Sequence, residues 1–296
     1  MSTKPKILVT GASGKFGELV LFHLTETYSY PASQIIATTR QPAGLAKWAE
    51  QGVEVRKADF SDSDSLAESF SGAEQLLLIS TDSLDNEVRL RTHLGAVAAA
   101  KSAGVGRILY TSMPQPDNSA VAFASVHLGT ENAIKETGVA YTILRNNWYF
   151  ENLLMTLPGA LAGGTLYSAA GDGKIAYISR SDLAQAAAAA LVGGSEFENR
   201  TFTLTGDEAL DIESVAKEVA SLLQKPLKVV QVPLEAIIAG AVSHGLPEPV
   251  AVVIASFDTA SKNGDLATVT SDFATLTGRP PKTFPEWLAE NRALLG

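Results

Sequence analysis

The chain contains no cysteine. That excludes disulfides, thiolate metal sites and cysteine nucleophiles. No signal-peptide pattern opens it, so the cytoplasm is the expected compartment. A basic run is also missing. Lys and Arg number 23 against 32 Asp and Glu, and the formal net charge is -9. Nucleic acid, whose binders carry a basic face, is therefore not an expected partner. Nor is a membrane: the longest uncharged stretch, residues 152–171, is broken by Pro158 and several glycines. No metal is expected. Internal repeats and low-complexity linkers are absent. With 296 residues, 46% hydrophobic and 19% charged, the composition is that of a globular chain of one large or two smaller domains.

What is present starts near the N-terminus, in Ile7-Leu8-Val9-Thr10-Gly11-Ala12-Ser13-Gly14-Lys15-Phe16-Gly17. An apolar β-branched run, glycines spaced G-x-x-G-x-x-G and an amphipathic stretch to Thr27 predict a strand, a tight turn and a helix. Such glycines let the chain turn sharply and let a pyrophosphate approach the backbone. The helix start then offers free N–H groups and the positive end of its dipole. The alternative is a glycine-rich turn with no ligand. Ile35 to Thr39 predicts a second strand, ending in Arg40. NAD-preferring folds place an acidic residue near this point for the ribose hydroxyls, whereas an Arg suits a 2′-phosphate. Lys15 adds a second positive charge, so NADPH (NADP) is favoured over NAD(H); a solvated Arg40 is the competing reading.

Further on, Val53 to Arg56 predicts a third strand. Asp59 after it either approaches an adenine ring or, with Ser61, starts the helix from Asp64 to Phe70. Leu76 to Ser80 reads as a strand buried on both faces, with Ser80 and Thr81 at the carboxyl end, where open α/β sheets bind ligands. A helix over Asn86 to Ala103, Ala-rich in its second half, would pack closely on the sheet or on a partner subunit, which allows a homodimer. Its His93 is a structural or a site residue, and His23 on the first helix is expected to face solvent. Arg107 to Ser112 predicts the fifth strand. His127 and Glu131, four apart, share a helical face, as a polar pair near a nicotinamide or a surface pair. Val139 to Leu144 predicts the sixth strand and runs into Arg145-Asn146-Asn147-Trp148-Tyr149-Phe150-Glu151-Asn152. Amides there can bond a carboxamide and rings can stack on a flat ligand; a buried structural turn is the alternative. Gly171-Asp172-Gly173-Lys174 is a tight turn before a strand over 175–178 and an Ala-rich helix from Ser181. The remainder is mainly helical, closing with a capping-box pattern at Thr283 and Glu286.

Taken together, Gly11-Ala12-Ser13-Gly14-x-x-Gly17, Arg40, Leu76 to Ser80, His127-x-x-x-Glu131, Leu144-Arg145-Asn146-x-Trp148-Tyr149-x-Glu151-Asn152 and Ala169 to Lys174 resemble the NmrA-like atypical short-chain dehydrogenase/reductase family. The resemblance implies an α/β fold: a Rossmann-type doubly wound parallel sheet with a smaller, mostly helical C-terminal domain. The boundaries would be residues 1–155 for NADP(H) binding, with a strand and helix near 175–192 returning to it, and 156–296 for a substrate or lid domain. NADPH would lie in the cleft between them. Its candidate ligands are Gly11, Ser13, Gly14, Lys15, Phe16, Gly17, Arg40, Asp59, Phe60, Ser80, Thr81, Ser112, Asn146, Asn147, Trp148 and Tyr149. Met113, Tyr149, Gly173 and Lys174 would hold the acceptor. Asn147, Tyr149 and His127 are the catalytic candidates, with His127 or water supplying a proton. The resemblance also marks one difference: a quinone-reducing member of that family has Asn-Gly-Trp-Tyr where this chain has Asn146-Asn147-Trp148-Tyr149, which puts bulk beside the expected nicotinamide.

Standard short-chain reductases use a Tyr-x-x-x-Lys pair, and none of the seven tyrosines here has a Lys four residues on. Reducing a ketone generates a strongly basic alkoxide, which calls for a positioned acid. Reducing a quinone generates a phenolate-like anion whose conjugate acid has a pKa of roughly 10 or below. The expected activity is therefore that of an NADPH-dependent oxidoreductase transferring hydride to a quinone-like acceptor. The alternative is a non-catalytic NADP(H)-sensing regulatory protein of the NmrA type.

Overall fold

Parallel strands need long crossovers, and helices fill them here. The computed structural model describes residues 4–295, apart from the side chains of Ser63 and Asp64. The strands, in chain order, are β1 (Ile7–Val9), β2 (Ile35–Thr39), β3 (Glu54–Lys57), β4 (Gln75–Leu78), β5 (Arg107–Ser112), β6 (Ala140–Asn146), β7 (Thr165–Ser168), β8 (Lys174–Ile175), β9 (Arg200–Leu204), β10 (Leu210–Asp211) and β11 (Lys228–Gln231). The helices are α1 (Lys15–Phe22), α2 (Ala46–Glu50), α3 (Ser63–Ser69), α4 (Asn86–Ser102), α5 (Ala124–Glu136), α6 (Leu157–Gly163), α7 (Arg180–Val192), α8 (Ile212–Leu223), α9 (Leu234–Ser243), α10 (Glu248–Asn263), α11 (Asp272–Thr277) and α12 (Phe284–Glu290).

Seven strands form one sheet in the order β3-β2-β1-β4-β5-β6-β9. The pairs from β3 to β6 are parallel, with Leu8 opposite Ile36 on one side and Leu76 on the other. Strand order reverses between β1 and β4, the switch point at which such sheets open a crevice for ligands. Leu8, Leu76, Leu78, Ile108 and Tyr110 pack with Leu66, Phe70, Ala96, Val97 and Ile134 on one face. The intervening Ile7, Val9, Leu77 and Leu109 are also fully buried, so the sheet is covered on both faces, as its apolar strands require.

The chain divides into two units. The first comprises the chain up to Ser112, Val126–Arg145 and Leu183–Phe202; the second comprises Met113–Ser125, Asn146–Asp182 and the chain from Thr203 onward. The second unit has its own core, in which Phe150, Tyr177, Val215, Val219, Phe284, Trp287 and Leu288 are buried together. Two small sheets lie in it, β7 parallel to β11 and β8 antiparallel to β10. The strand expected over 175–178 is Lys174–Ile175 and lies in the second unit, while α7 from Leu183 onward lies in the first. Among the described residues, no helix is long and apolar enough to cross a membrane.

One local departure concerns His23. Helix α1 passes into a wider π turn at His23–Thr27, closed by the Tyr28 N–H donating to the His23 carbonyl (2.9 Å). The extra residue in the turn offsets the face counted at 3.6 residues per turn. His23 is consequently buried, with Nδ1 2.9 Å from Thr27 Oγ1, where sequence periodicity put it in solvent.

Candidate functional site

The glycine loop of the first unit is shaped by close approach. Gly11 takes a positive φ of 56°, which a side chain would strain. A Cβ on Gly17 would lie 2.5 Å from the Gly11 carbonyl oxygen and 2.7 Å from Ala12 Cα, so only glycine fits there. The Ala12 N–H donates to the Thr38 carbonyl (3.0 Å) and the Gly14 N–H to the Gly11 carbonyl (3.0 Å). Gly14 is the N-cap of α1, and no side chain caps that helix. Its first amides, which lack acceptors within the helix, form a cradle for an anion at the positive end of the dipole. Ser13 Oγ lies 2.7 Å from Thr39 Oγ1 and ties the loop to the end of β2, where Arg40 is exposed. Lys15, the first residue of α1, is also exposed, and Phe16 is half-buried beside it. The loop, its bare amides and the cations therefore fit a dinucleotide phosphate and a 2′-phosphate.

Asp59 turns back on its own loop. Its Oδ1 accepts from the Ser61 N–H (2.9 Å) and hydroxyl (2.7 Å). These bonds, assisted by the charges of Arg40 and Lys57, hold its carboxyl below the usual range. Phe60 packs against the apolar cluster of the sheet. Ser80 and Thr81 follow β4, half-buried at its carboxyl end.

At the end of β5, Ser112 donates to Glu131 Oε1 (2.7 Å). Arg145 meets the same carboxylate with two bonds, Nε to Oε1 (2.9 Å) and Nη2 to Oε2 (2.8 Å). Lys135 Nζ stands 3.6 Å from Oε2, and Glu131 itself is fully buried. His127 lies on the same helix as Glu131. Its Nδ1 lies 2.9 Å from the Tyr110 hydroxyl and its Nε2 3.5 Å from Arg89 Nη2, in the interior of the first unit. Burial first, then the positive charge of Arg89, push its pKa well below the ordinary value. The charged imidazolium form of His127 is therefore disfavoured, and its ring lies among buried residues of the first unit. His127 and Glu131 share α5, with Glu131 bonded to Ser112 and Arg145 and His127 beside Tyr110 and Arg89.

In the second unit, Asn147 is 2% exposed. Its N–H donates to the Leu204 carbonyl (3.0 Å), its Nδ2 to the Leu266 carbonyl (3.0 Å), and its Oδ1 accepts from the Trp148 N–H (2.7 Å). The side chain joins chain segments far apart in sequence. Its side chain thereby engages one N–H and one acceptor position of the amide in the fold. The neighbouring Asn146 differs. Its buried Oδ1 has no hydrogen-bond partner among the described residues, so it is the amide left with an acceptor to offer.

Trp148 stacks on Phe257 with ring centroids 3.5 Å apart, and Tyr149 lies 6.5 Å from Trp148. The Arg180 guanidinium sits 5.3 Å from the Tyr149 ring centre, a cation–π distance. Phe123 meets Phe257 edge-on at 5.8 Å. Phe123 and Phe257 carried no local signal in the sequence; only the packing of α10 joins them to Trp148. Glu151 accepts from the Arg180 N–H (3.0 Å) and from Trp287 Nε1 (3.3 Å), tying down the start of α7. Met113 belongs to the core of the second unit. A Cβ on Gly173 would fall on the backbone of Ser261, so packing against α10 accounts for that glycine. Lys174 is exposed on β8, opposite Asp211.

The NmrA-like family model matches residues 3–288. Quinone oxidoreductase 2 of Escherichia coli (strain K12) is 38% identical over 280 residues, 95% of this chain and 96% of that protein. Among solved structures, the NADPH complex of the E. coli NADPH-dependent quinone oxidoreductase QOR2 superposes with a TM-score of 0.91 at 37% identity, covering 96% of this chain and 99% of the other. The Citrobacter sp. triphenylmethane reductase complexed with NADP(H) gives a TM-score of 0.90 at 34% identity, with the same coverages.

Proposed function

The chain belongs to the NmrA-like family, and from that membership we propose that it is an NADPH-dependent oxidoreductase that reduces quinone-like acceptors. NADPH, when bound, supplies the hydride. The chain's own part is to bind and orient: the uncapped start of α1 takes the pyrophosphate, while Arg40 and Lys15 pair with the 2′-phosphate. The cofactor choice is supported by the two solved structures described above, which hold NADPH or NADP(H). Tyr149 and Trp148 are the rings assigned to a planar acceptor, and Lys174 is an exposed cation of the same unit. The absence of cysteine supports a cytoplasmic setting.

The acceptor class rests on one observation above all: the hydroxyl at the end of β5 has no free proton to give. Ser112 donates to Glu131, Glu131 is neutralised by Arg145, and His127 is buried and neutral. The serine proton is committed to a carboxylate, and burial disfavours a charged imidazolium at His127. A quinone needs no positioned acid, because its reduced anion is stable enough to be protonated by water.

The test follows NADPH oxidation by the loss of reduced-nicotinamide absorbance. The acceptors are 1,4-benzoquinone, a naphthoquinone, a triphenylmethane dye and a simple ketone, with NADH in parallel. Quinones are expected to turn over at least about a hundredfold faster than the ketone, the usual contribution of a missing general acid. Equal rates would refute the acceptor argument. Tight NADPH binding with no turnover of any acceptor would favour the nucleotide-sensing regulator.

A further inference from the structure

Strand β4 stops pairing at Leu78, yet the next three residues are held amide by amide. The Ile79 N–H donates to Thr10 Oγ1 (2.9 Å), just past β1. The Ser80 N–H donates to Thr111 Oγ1 (2.9 Å) on β5. The Thr81 N–H donates to His93 Nε2 (3.0 Å) on α4, and Thr81 Oγ1 is 3.2 Å from the same nitrogen.

The acceptors are themselves fixed. Thr10 Oγ1 donates to the Leu77 carbonyl (3.0 Å). His93 Nδ1 lies 3.0 Å from Thr130 Oγ1, which donates onward to the Val126 carbonyl (2.8 Å). A backbone N–H can only donate, so Nε2 of His93 must accept. The single ring proton is therefore on Nδ1, pointing at Thr130. Thr10, Thr111 and His93 are all buried.

Ending a strand does not require this. Amides at the carboxyl edge of a sheet can be satisfied by water, whereas here buried side chains from three separate elements capture three successive N–H groups. The place is the switch point between β1 and β4, beside the glycine loop. A second donor-rich loop there would compete for the pyrophosphate.

We propose that Thr10, Thr111 and His93 are positioning residues that turn the N–H groups of Ile79, Ser80 and Thr81 into the protein. The loop is thereby left only carbonyl and hydroxyl oxygens with which to meet the nicotinamide half of the dinucleotide. That half carries ribose hydroxyls and a carboxamide N–H, the complementary donors. The phosphates are left to the glycine loop, and the dinucleotide has one register. This rests on the NADPH reading above.

The primary variant is Thr111→Val, which keeps the β-branched shape and removes one acceptor. In the nucleotide-free protein, hydrogen exchange at the Ser80 amide should accelerate. The dissociation constant for NADPH should rise on the order of tenfold, as expected for one lost hydrogen bond. Binding of 2′,5′-ADP, which lacks the nicotinamide half, should stay unchanged. Equal weakening of both nucleotides, or no change for NADPH, would overturn the proposal. A second pair addresses His93: His93→Gln, which keeps an acceptor for Thr81, should retain most NADPH affinity, and His93→Leu should lose it while still binding 2′,5′-ADP. Retention of NADPH affinity by His93→Leu would also count against it. If the wild-type protein bound neither nucleotide, the NADPH reading itself would fail and take this proposal with it, a result distinct from the others.

Discussion

Arg40 follows β2 as an exposed guanidinium whose charge reaches the carboxyl of Asp59. In the nucleotide complex the same charge would meet the 2′-phosphate. A charge-assisted hydrogen bond of this kind contributes about 1.5–3 kcal/mol. Arg40→Asp should therefore raise the NADPH dissociation constant roughly 10- to 100-fold and leave that of NADH nearly unchanged, as measured by fluorescence titration with both nucleotides. Equal losses would detach Arg40 from that role. Asn147 presents the opposite case. As a residue type at a strand's carboxyl end it carries the mark of a ligand-binding amide. Its side chain bonds Leu266 and Trp148 with one N–H and one acceptor position of the amide. What distinguishes it from Asn146 is which way each side chain turns when β6 ends. Two adjacent amides look alike until their partners, residues some 60 and 120 positions away, are in place.

Among the elements, α10 explains a glycine that sequence alone attached to the acceptor. The turn Gly171 to Lys174 runs so close to the end of α10 that Gly173 has no room for a Cβ beside Ser261. Gly173→Ala should cost about 1–3 kcal/mol through overpacking, read as a lower denaturant midpoint. Gly159→Ala is the control: a Cβ there meets nothing within 4 Å, and the position lies inside α6. It should be neutral or slightly stabilising, because alanine has the higher helix propensity. If both variants lost stability equally, the contact with α10 would not be the cause. Elements with strong local periodicity were readable in the sequence; α8, with Val215, Ala216, Val219 and Leu223 buried on one stripe, is the plainest. Strands β7 and β11 were not, because each is four residues long and, among the described residues, pairs with the other, some 60 residues away.

For the whole molecule, two buried neutral histidines make stability depend on pH. His93 is pushed down from 6.5 to about 3 by burial and by the charge of Arg89, and His127 is lowered for the same reasons. The unfolded chain takes up protons on both below about 6.5, while the folded chain refuses them. Stability is therefore full above that pH and falls as pH drops towards 3, by up to about 1.4 kcal/mol per pH unit for each histidine. Carboxylates add their own losses only nearer 4.5. The melting temperature should decline between pH 6.5 and 5, and His93→Gln should make that decline shallower. A flat profile over this range would contradict the burial of neutral imidazoles. At this scale the strand-turn-helix at the N-terminus, the alternation of apolar strands with helices, Arg40, and the missing Tyr-x-x-x-Lys pair were all determined by the sequence itself. Each is a local pattern, fixed by backbone freedom, side-chain period or residue identity. The tertiary structure decided the rest: that Glu131 joins Ser112 and Arg145, that His127 meets Tyr110, that Asn147 bonds Leu266, and that three side chains hold the end of β4. Those outcomes depend on which buried polar groups meet across distant segments, and a buried donor or acceptor takes whatever partner the packing brings within hydrogen-bond reach.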